Sequence, residues 1–234
     1  MKIIECLSPA RLLLTACLAL AAAWPALAGE GGLAPFKATY DASYMGLHGA
    51  GTMTLAASGN DRWTYSFKVD SPVARLNQTT VFESNGGQWR PLSNSDSSTF
   101  LVKTSHKQAS YDWERREARW SGDVKADRRG PVPLRPGDLD AMLVNIAIAR
   151  DVGAGKPLDY RMVDDGKARQ MRYTVLGKET VSIAGQQRTA TKVARTEGDK
   201  QQLLWIVDGL PVPVRILQRK DGSDEMDLRL KSLN

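Results

Sequence analysis

From residue 36 onward, apolar and polar side chains alternate with a period of two, the mark of strands with one buried face. Phe36, Ala38, Tyr40, Ala42 and Tyr44 are separated by Lys37, Thr39, Asp41 and Ser43. Trp63, Tyr65, Phe67 and Val69 repeat the pattern, which returns over 76–84, 99–104 and 109–113. Between the first two runs, residues 49–55 read as a strand softened by Gly49 and Gly51, which predicts a bulge or strong bend. Gly59-Asn60-Asp61, Asn85-Gly86-Gly87 and Ser121-Gly122-Asp123 supply turn chemistry. Further strands are predicted over 158–163, 170–176, 180–183, 188–196, 203–207, 212–219 and 226–233. Asp164-Asp165-Gly166 and Asp221-Gly222 mark tight turns, and Ala184-Gly185-Gln186 closes another hairpin.

One segment departs from this period. Leu139, Met142, Leu143, Ile146 and Ala149 recur at helical spacing, with Asp138 placed to cap the start and Gly153 to stop the helix. This predicts one helix over 139–150, preceded by Pro131, Pro133 and Pro136. Many short strands and one helix make the fold mainly β. The expectation is a single large curled antiparallel sheet, barrel or half-barrel, with the helix packed on it. Neither strand run is rich enough in large apolar residues to close alone, so residues 29–234 read as one domain.

The first 28 residues have a different grammar. Lys2 and Arg11 precede the uncharged stretch Leu12–Ala23, and Trp24-Pro25-Ala26-Leu27-Ala28 ends in small residues at alternate positions. That order is a secretory signal peptide, cut near Ala28–Gly29, and it implies a periplasmic or secreted protein. An uncharged run over 12–28 interrupted by Pro25 is short for a membrane span, which needs roughly 20 apolar residues. Leu14-Thr15-Ala16-Cys17 matches a lipobox. Too little apolar chain lies between Arg11 and Cys17, however, and an apolar rather than polar stretch follows.

Removal of the signal takes both cysteines, Cys6 and Cys17, and leaves no disulfide, thiol nucleophile or thiolate metal site. The whole chain carries 32 Lys and Arg against 26 Asp and Glu. Basic residues concentrate over 115–135, including Arg115, Arg116, Arg119, Lys125, Arg128 and Arg129. Such a segment could meet an anionic membrane surface, or could be a solvated hairpin and loop. Nucleic acid is not expected as a partner of an exported protein.

Several stretches resemble the bacterial envelope family catalogued as domain of unknown function 3108. They are Phe36–Tyr44, Gly49-Ala50-Gly51, Phe82–Gly86, Asp140-Ala141-Met142-Leu143, Val163-Asp164-Asp165-Gly166, Tyr173-Thr174-Val175, Gly185 with Thr189-Ala190, Leu204–Asp208, Leu210–Val214, and Leu228 with Leu230. The resemblance spans nearly all of residues 29–234 and rests on turn and core positions. It implies the fold and export, and it carries no reaction.

The chemistry-bearing residues are few. His48 and His106 have no nucleophile fixed beside them, and Gly-x-Ser-x-Gly is absent, so both read as surface or turn histidines. Asp164-Asp165 lacks the further oxygen ligands of a calcium loop, and Asp138 and Asp140 read as helix-capping residues. No catalytic, metal or cofactor motif stands out, and no pair of carboxylates is singled out for glycoside chemistry. The aromatic set Trp89, Phe100, Tyr111, Trp113 and Trp120 is the candidate ligand-binding group. Aromatics on one face of a curled sheet can line a cavity, or they can simply fill a core. The leading expectation is a non-enzymatic envelope protein holding a lipophilic small molecule or lipid-bearing partner in the concavity of its sheet. The alternatives are a module that docks on an envelope protein, and a hydrolase without a recognisable motif.

Overall fold

The computed structural model describes residues 32–59 and 61–234. The signal segment, Cys6, Cys17 and Asn60 lie outside the described residues. The first strand run forms β1 (Phe36–Tyr44), β2 (Leu47–Ala57), β3 (Arg62–Asp70), β4 (Ala74–Asn85), β5 (Gln88–Phe100), β6 (Lys103–Asp112), β7 (Glu117–Gly122) and the short β8 (Val132–Pro133). Helix α1 (Ala141–Gly153) follows, then β9 (Asp159–Asp164) and β10 (Lys167–Arg172). The chain ends with β11 (Thr174–Ile183), β12 (Gln186–Glu197), β13 (Lys200–Ile206), β14 (Arg215–Lys220) and β15 (Ser223–Leu233).

Thirteen of these strands form one antiparallel sheet in the order β11-β12-β13-β14-β15-β1-β2-β3-β4-β5-β6-β7-β8. The two strand runs join where β15 pairs with β1, Leu228 opposite Ala42 and Leu230 opposite Tyr40. The sheet curls without closing, since β11 and β8 stay as edges, and β9 and β10 form a separate two-stranded sheet. That hairpin spans the open seam. Tyr111 in β6 donates a 3.0 Å hydrogen bond to the Val163 carbonyl, and Arg128 pairs with Asp165 at 2.9 Å. On the other flank, Tyr173 donates to Gln202 in β13 at 2.7 Å. Gly166 has a left-handed φ of 69°, and a Cβ there would run into the Arg128 backbone.

The helix differs from a surface helix laid on a sheet. Met142, Leu143, Val144, Ile146, Ala147, Ile148 and Ala149 are all buried, so apolar side chains point in every direction around its axis. Asp151, buried near its end, accepts from Arg150 at 2.7 Å and from Tyr160 at 3.1 Å. The helix therefore lies inside the curl and is wrapped by the sheet. Its start also moves from the expected place. Asp140 rather than Asp138 is the N-cap, accepting from Leu143 N at 2.8 Å, while Asp138 accepts from Arg135 N at 2.7 Å and pairs with Arg161. Leu139 is extended and bridges Met162.

Three other details correct the expected elements. β2 pairs in continuous register with β1 and β3, so its glycines mark close approach and not a bulge. A Cβ at Gly49 would lie 2.7 Å from the Asp70 carbonyl oxygen. The predicted strand over 99–104 is interrupted at Leu101 and Val102, the turn between the end of β5 and the start of β6, with Leu101 at φ 54°. The predicted strand over 170–176 breaks at Tyr173, where the chain leaves the seam hairpin to enter the main sheet.

Candidate functional site

Between α1, the seam hairpin and the concave side of the sheet is a cavity of about 490 Å³. Met142 and Val144 reach it from α1, and Met162 and Met171 from β9 and β10. Met53, Tyr65 and Phe67 contribute from β2 and β3, and Ile216, Met226 and Leu228 from β14 and β15. Five of the seven methionines in the sequence line this one space. Strand alternation explains the inward aim of Met53, which sits opposite Phe67 and Ala38, both buried.

The walls are not uniformly apolar. On the β4–β5 side Gln78 donates to Asp96 at 3.1 Å, with Asn94, Asn145 and Asp164 alongside. Beneath them lies Asp140, fully buried, holding the Thr80 hydroxyl, the Asn94 amide at 3.3 Å and Leu143 N. Thr80 in turn accepts from Asn94 at 3.0 Å. Burial raises the pKa of Asp140, and the donors from Thr80, Leu143, Asn94 and Met142 pull it partway back. Asp164 is pushed up to about 7, first by desolvation and then by the negative charge of Asp140. A backbone hydrogen bond from Asp165 opposes that shift. Tyr65, whose hydroxyl donates to Met53 Sδ at 3.2 Å, is raised by burial and by Asp140. Burial pushes Tyr173 up to about 12 against the opposing charge of Arg195. The far end of the cavity carries Arg195, Lys200, Gln202, Gln218 and Arg219. Arg195 is paired with Glu197 and Arg219 with Asp224.

The acidic groups around the cavity differ in how freely they face it. Glycoside hydrolysis by a carboxylate pair needs both groups presented to one substrate. Asp140 is committed to capping α1 and to Thr80 and Asn94, which leaves Asp164 to face the cavity with Asp96, itself held by Gln78. His48 and His106 are exposed. Among the described residues, no group of three or more His, Cys, Asp and Glu could hold a metal ion.

None of the five aromatics singled out in the sequence borders this cavity. Trp89 is buried against Phe82, with ring centroids 5.8 Å apart, and the Arg150 guanidinium lies 4.2 Å from its ring. Tyr111 and Trp120 meet edge to face at 6.1 Å in a second apolar cluster with Ala118, Leu134 and Val163. Trp113 is half-buried and donates to the Pro91 carbonyl at 2.7 Å. Phe100 is 48% exposed at the end of β5. Only Trp120 borders a second depression of about 640 Å³, whose walls mix Thr79, Ser93, Ser95 and Gln108 with Val81 and Ala109. The group is thus split among core packing, a hydrogen-bonded ring and an exposed tip. Trp205 is structural, between Lys192 at 4.9 Å and Arg215 at 4.6 Å, and it donates to Glu179 at 2.7 Å. The basic segment 115–135 is also spread out, with Arg115 on Asp112, Arg119 on Glu117 and Arg128 on Asp165.

Fold and cavity define the class first: a β-barrel-like protein, open along one seam and filled by a buried helix. The chain belongs to the family described as Protein of unknown function (DUF3108), whose family model matches residues 39–229. Its structure is similar to the crystal structure of a beta-barrel-like protein of domain of unknown function DUF1849 from Brucella abortus. The two share 13% identity at a TM-score of 0.55, over 86% of this chain and 98% of that one. At that identity the likeness is one of fold alone. No curated protein matches the chain.

Proposed function

We propose that this protein, once exported to the periplasm, holds an amphiphilic small molecule in the cavity beside α1 and performs no chemistry on it. The observation that carries the reading is the methionine lining. Unbranched thioether side chains with three rotatable bonds refit around ligands of differing shape, which stiffer Leu or Phe walls do not. A volume of about 490 Å³ lies within the roughly 300–1,000 Å³ of small-molecule sites. The apolar body of the ligand faces Met53, Phe67, Met142 and Leu228. Its polar end, bearing hydroxyl or amide groups, meets Gln78, Asn94, Asp96 and Asp164.

The test is binding of a solvatochromic apolar dye to the native protein, with fatty alcohol or fatty acid amide as competitor. Saturable binding, displaced by the competitor and weakened by Met226→Trp, supports the reading. Met226 is half-buried on the cavity wall, so the larger ring takes up ligand space without opening the core. Dye that binds only as the protein unfolds, or binds equally well to Met226→Trp, refutes it.

A further inference from the structure

Because consecutive strands pair antiparallel, their turns alternate between the two ends of the curl. The end carrying the β1–β2, β3–β4, β5–β6, β12–β13 and β14–β15 turns also carries the start of β11. All large apolar side chains that are exposed among the described residues lie at this end. The β1–β2 tip presents Tyr44, Met45 and Leu47, with Met45 68% exposed. The β5–β6 tip presents Phe100, Leu101 and Val102, with Val102 98% exposed. Val175 and Leu176 follow at the start of β11. The turns of the opposite end, at 58–61, 86–87, 113–116 and 184–185, carry no exposed large apolar side chain among the described residues.

Two of these residues are costly in a second way. Met45 has φ 48° and Leu101 φ 54°, the left-handed region where Gly or Asn is at home. A chain selected only for folding gains nothing from a strained, solvent-exposed Met or Leu at a turn. The cavity reaches the same end through Lys200, Arg219 and Glu225, which flank the β12–β13 and β14–β15 turns.

We infer that this end of the curl docks on a zwitterionic phospholipid surface, with the β1–β2 and β5–β6 tips inserted among the lipids. Shape and charge select that partner. The apolar groups stand on separate prongs, with β3 and β4 between the first two and β11 on the far edge of the sheet. A protein partner would need a preformed pocket for each prong, whereas a fluid interface admits them independently. The charges around them nearly balance. Arg75 is paired with Asp70 and Arg219 with Asp224, while Lys103, Lys200 and Lys220 are set against Asp199, Asp221 and Glu225. Such an end has no excess charge to hold it to an anionic surface, and apolar insertion must supply the attraction.

The experiment is flotation of the mature protein with phosphatidylcholine vesicles, compared with the variant Met45→Asn/Leu101→Asn/Val102→Ser. Asn suits both left-handed positions, so this variant keeps or gains thermal stability, and its loss of binding cannot be blamed on unfolding. The wild-type protein should float with the vesicles, with little change between about 0.05 and about 0.5 M NaCl. The variant should lose about tenfold or more in apparent affinity while still binding the cavity dye, so this inference and the ligand-holding reading can fail separately. Absence of wild-type flotation, or equal flotation of the variant, overturns the inference. Flotation confined to anionic vesicles and abolished by salt overturns it in favour of the basic segment 115–135. Wild-type self-association without lipid, lost in the variant, reassigns this end to contact between copies of the chain.

Discussion

Asp164 gives the sharpest test of the cavity's electrostatics, through the substitution Asp164→Asn. Its carboxyl is half-buried at the end of β9, faces the cavity, and is pushed up to about 7 by desolvation and by Asp140. In the unfolded chain it titrates near the ordinary value of 3.8. Below about pH 4 both states hold the proton and the carboxyl costs the fold nothing. Between about pH 4 and pH 7 the unfolded chain releases its proton while the folded protein keeps it, so stability falls as pH rises. Above about pH 7 the full cost of an ionised carboxylate in this place remains. A shift of that size corresponds to a ceiling of about 4 kcal/mol. Because the residue is only half-buried, about 1–2 kcal/mol is the expected magnitude. Asn is close to isosteric and never ionises. Urea denaturation of both proteins at several pH values between about 4 and 8 is the assay. The two should unfold alike at the acid end, and Asp164→Asn should be the more stable by about 1–2 kcal/mol near pH 8. A stability difference that stays constant over this range would refute the placement of an ionisable carboxyl in a desolvated wall.

Two further outcomes follow from the same geometry. Asp140→Ala removes the N-cap of α1 and strands the Thr80 hydroxyl and the Asn94 amide, so it should cost about 2–4 kcal/mol by chemical denaturation. Trp113→Ala should lower stability by about 1–3 kcal/mol through lost packing and the lost bond to Pro91, yet leave dye affinity unchanged, because Trp113 does not border the cavity. A weakened dye affinity in a stably folded Trp113→Ala protein would return the site to the aromatic face.

The alternating strands were legible because each buries one face. Phe36–Tyr44 carries its whole pattern in the order of its side chains and forms β1 with those bounds. β5 was not legible, since Ser93–Ser98 has no apolar alternation and becomes a strand by pairing with β4 and β6. The strand expected over 99–104 fails for the opposite reason. Its tip is apolar where turns are usually Gly or Asn, so the pattern runs through Leu101 and Val102 without a break. Asp138 and Asp140 offer the same capping chemistry two residues apart, and only the Leu139–Met162 bridge, which keeps the chain extended, decides between them. The cavity was less legible than the fold. Aromatics drew attention by size, but register assigned Tyr111 and Trp120 to a separate cluster and Trp89 to Arg150. The methionines of the cavity come from five different elements, and no local pattern joins them.

The cavity itself follows from the strand count. A closed sheet of about eight strands has an interior that side chains alone can fill, and wider curls enclose more space than their own residues occupy. Thirteen strands therefore require an inserted element, and α1 supplies a cylinder roughly 10–12 Å across with its side chains. A cylinder inside a curved sheet touches it along part of its circumference. Here Asp140 fixes one contact, through Thr80 in β4 and Asn94 in β5, and the volume left over runs from that contact past β2 and β3 to β14 and β15. The sheet thus dictates that a space exists, and the Asp140 anchor fixes one end of it. The choice of Met over Leu on its walls determines how readily that space changes shape.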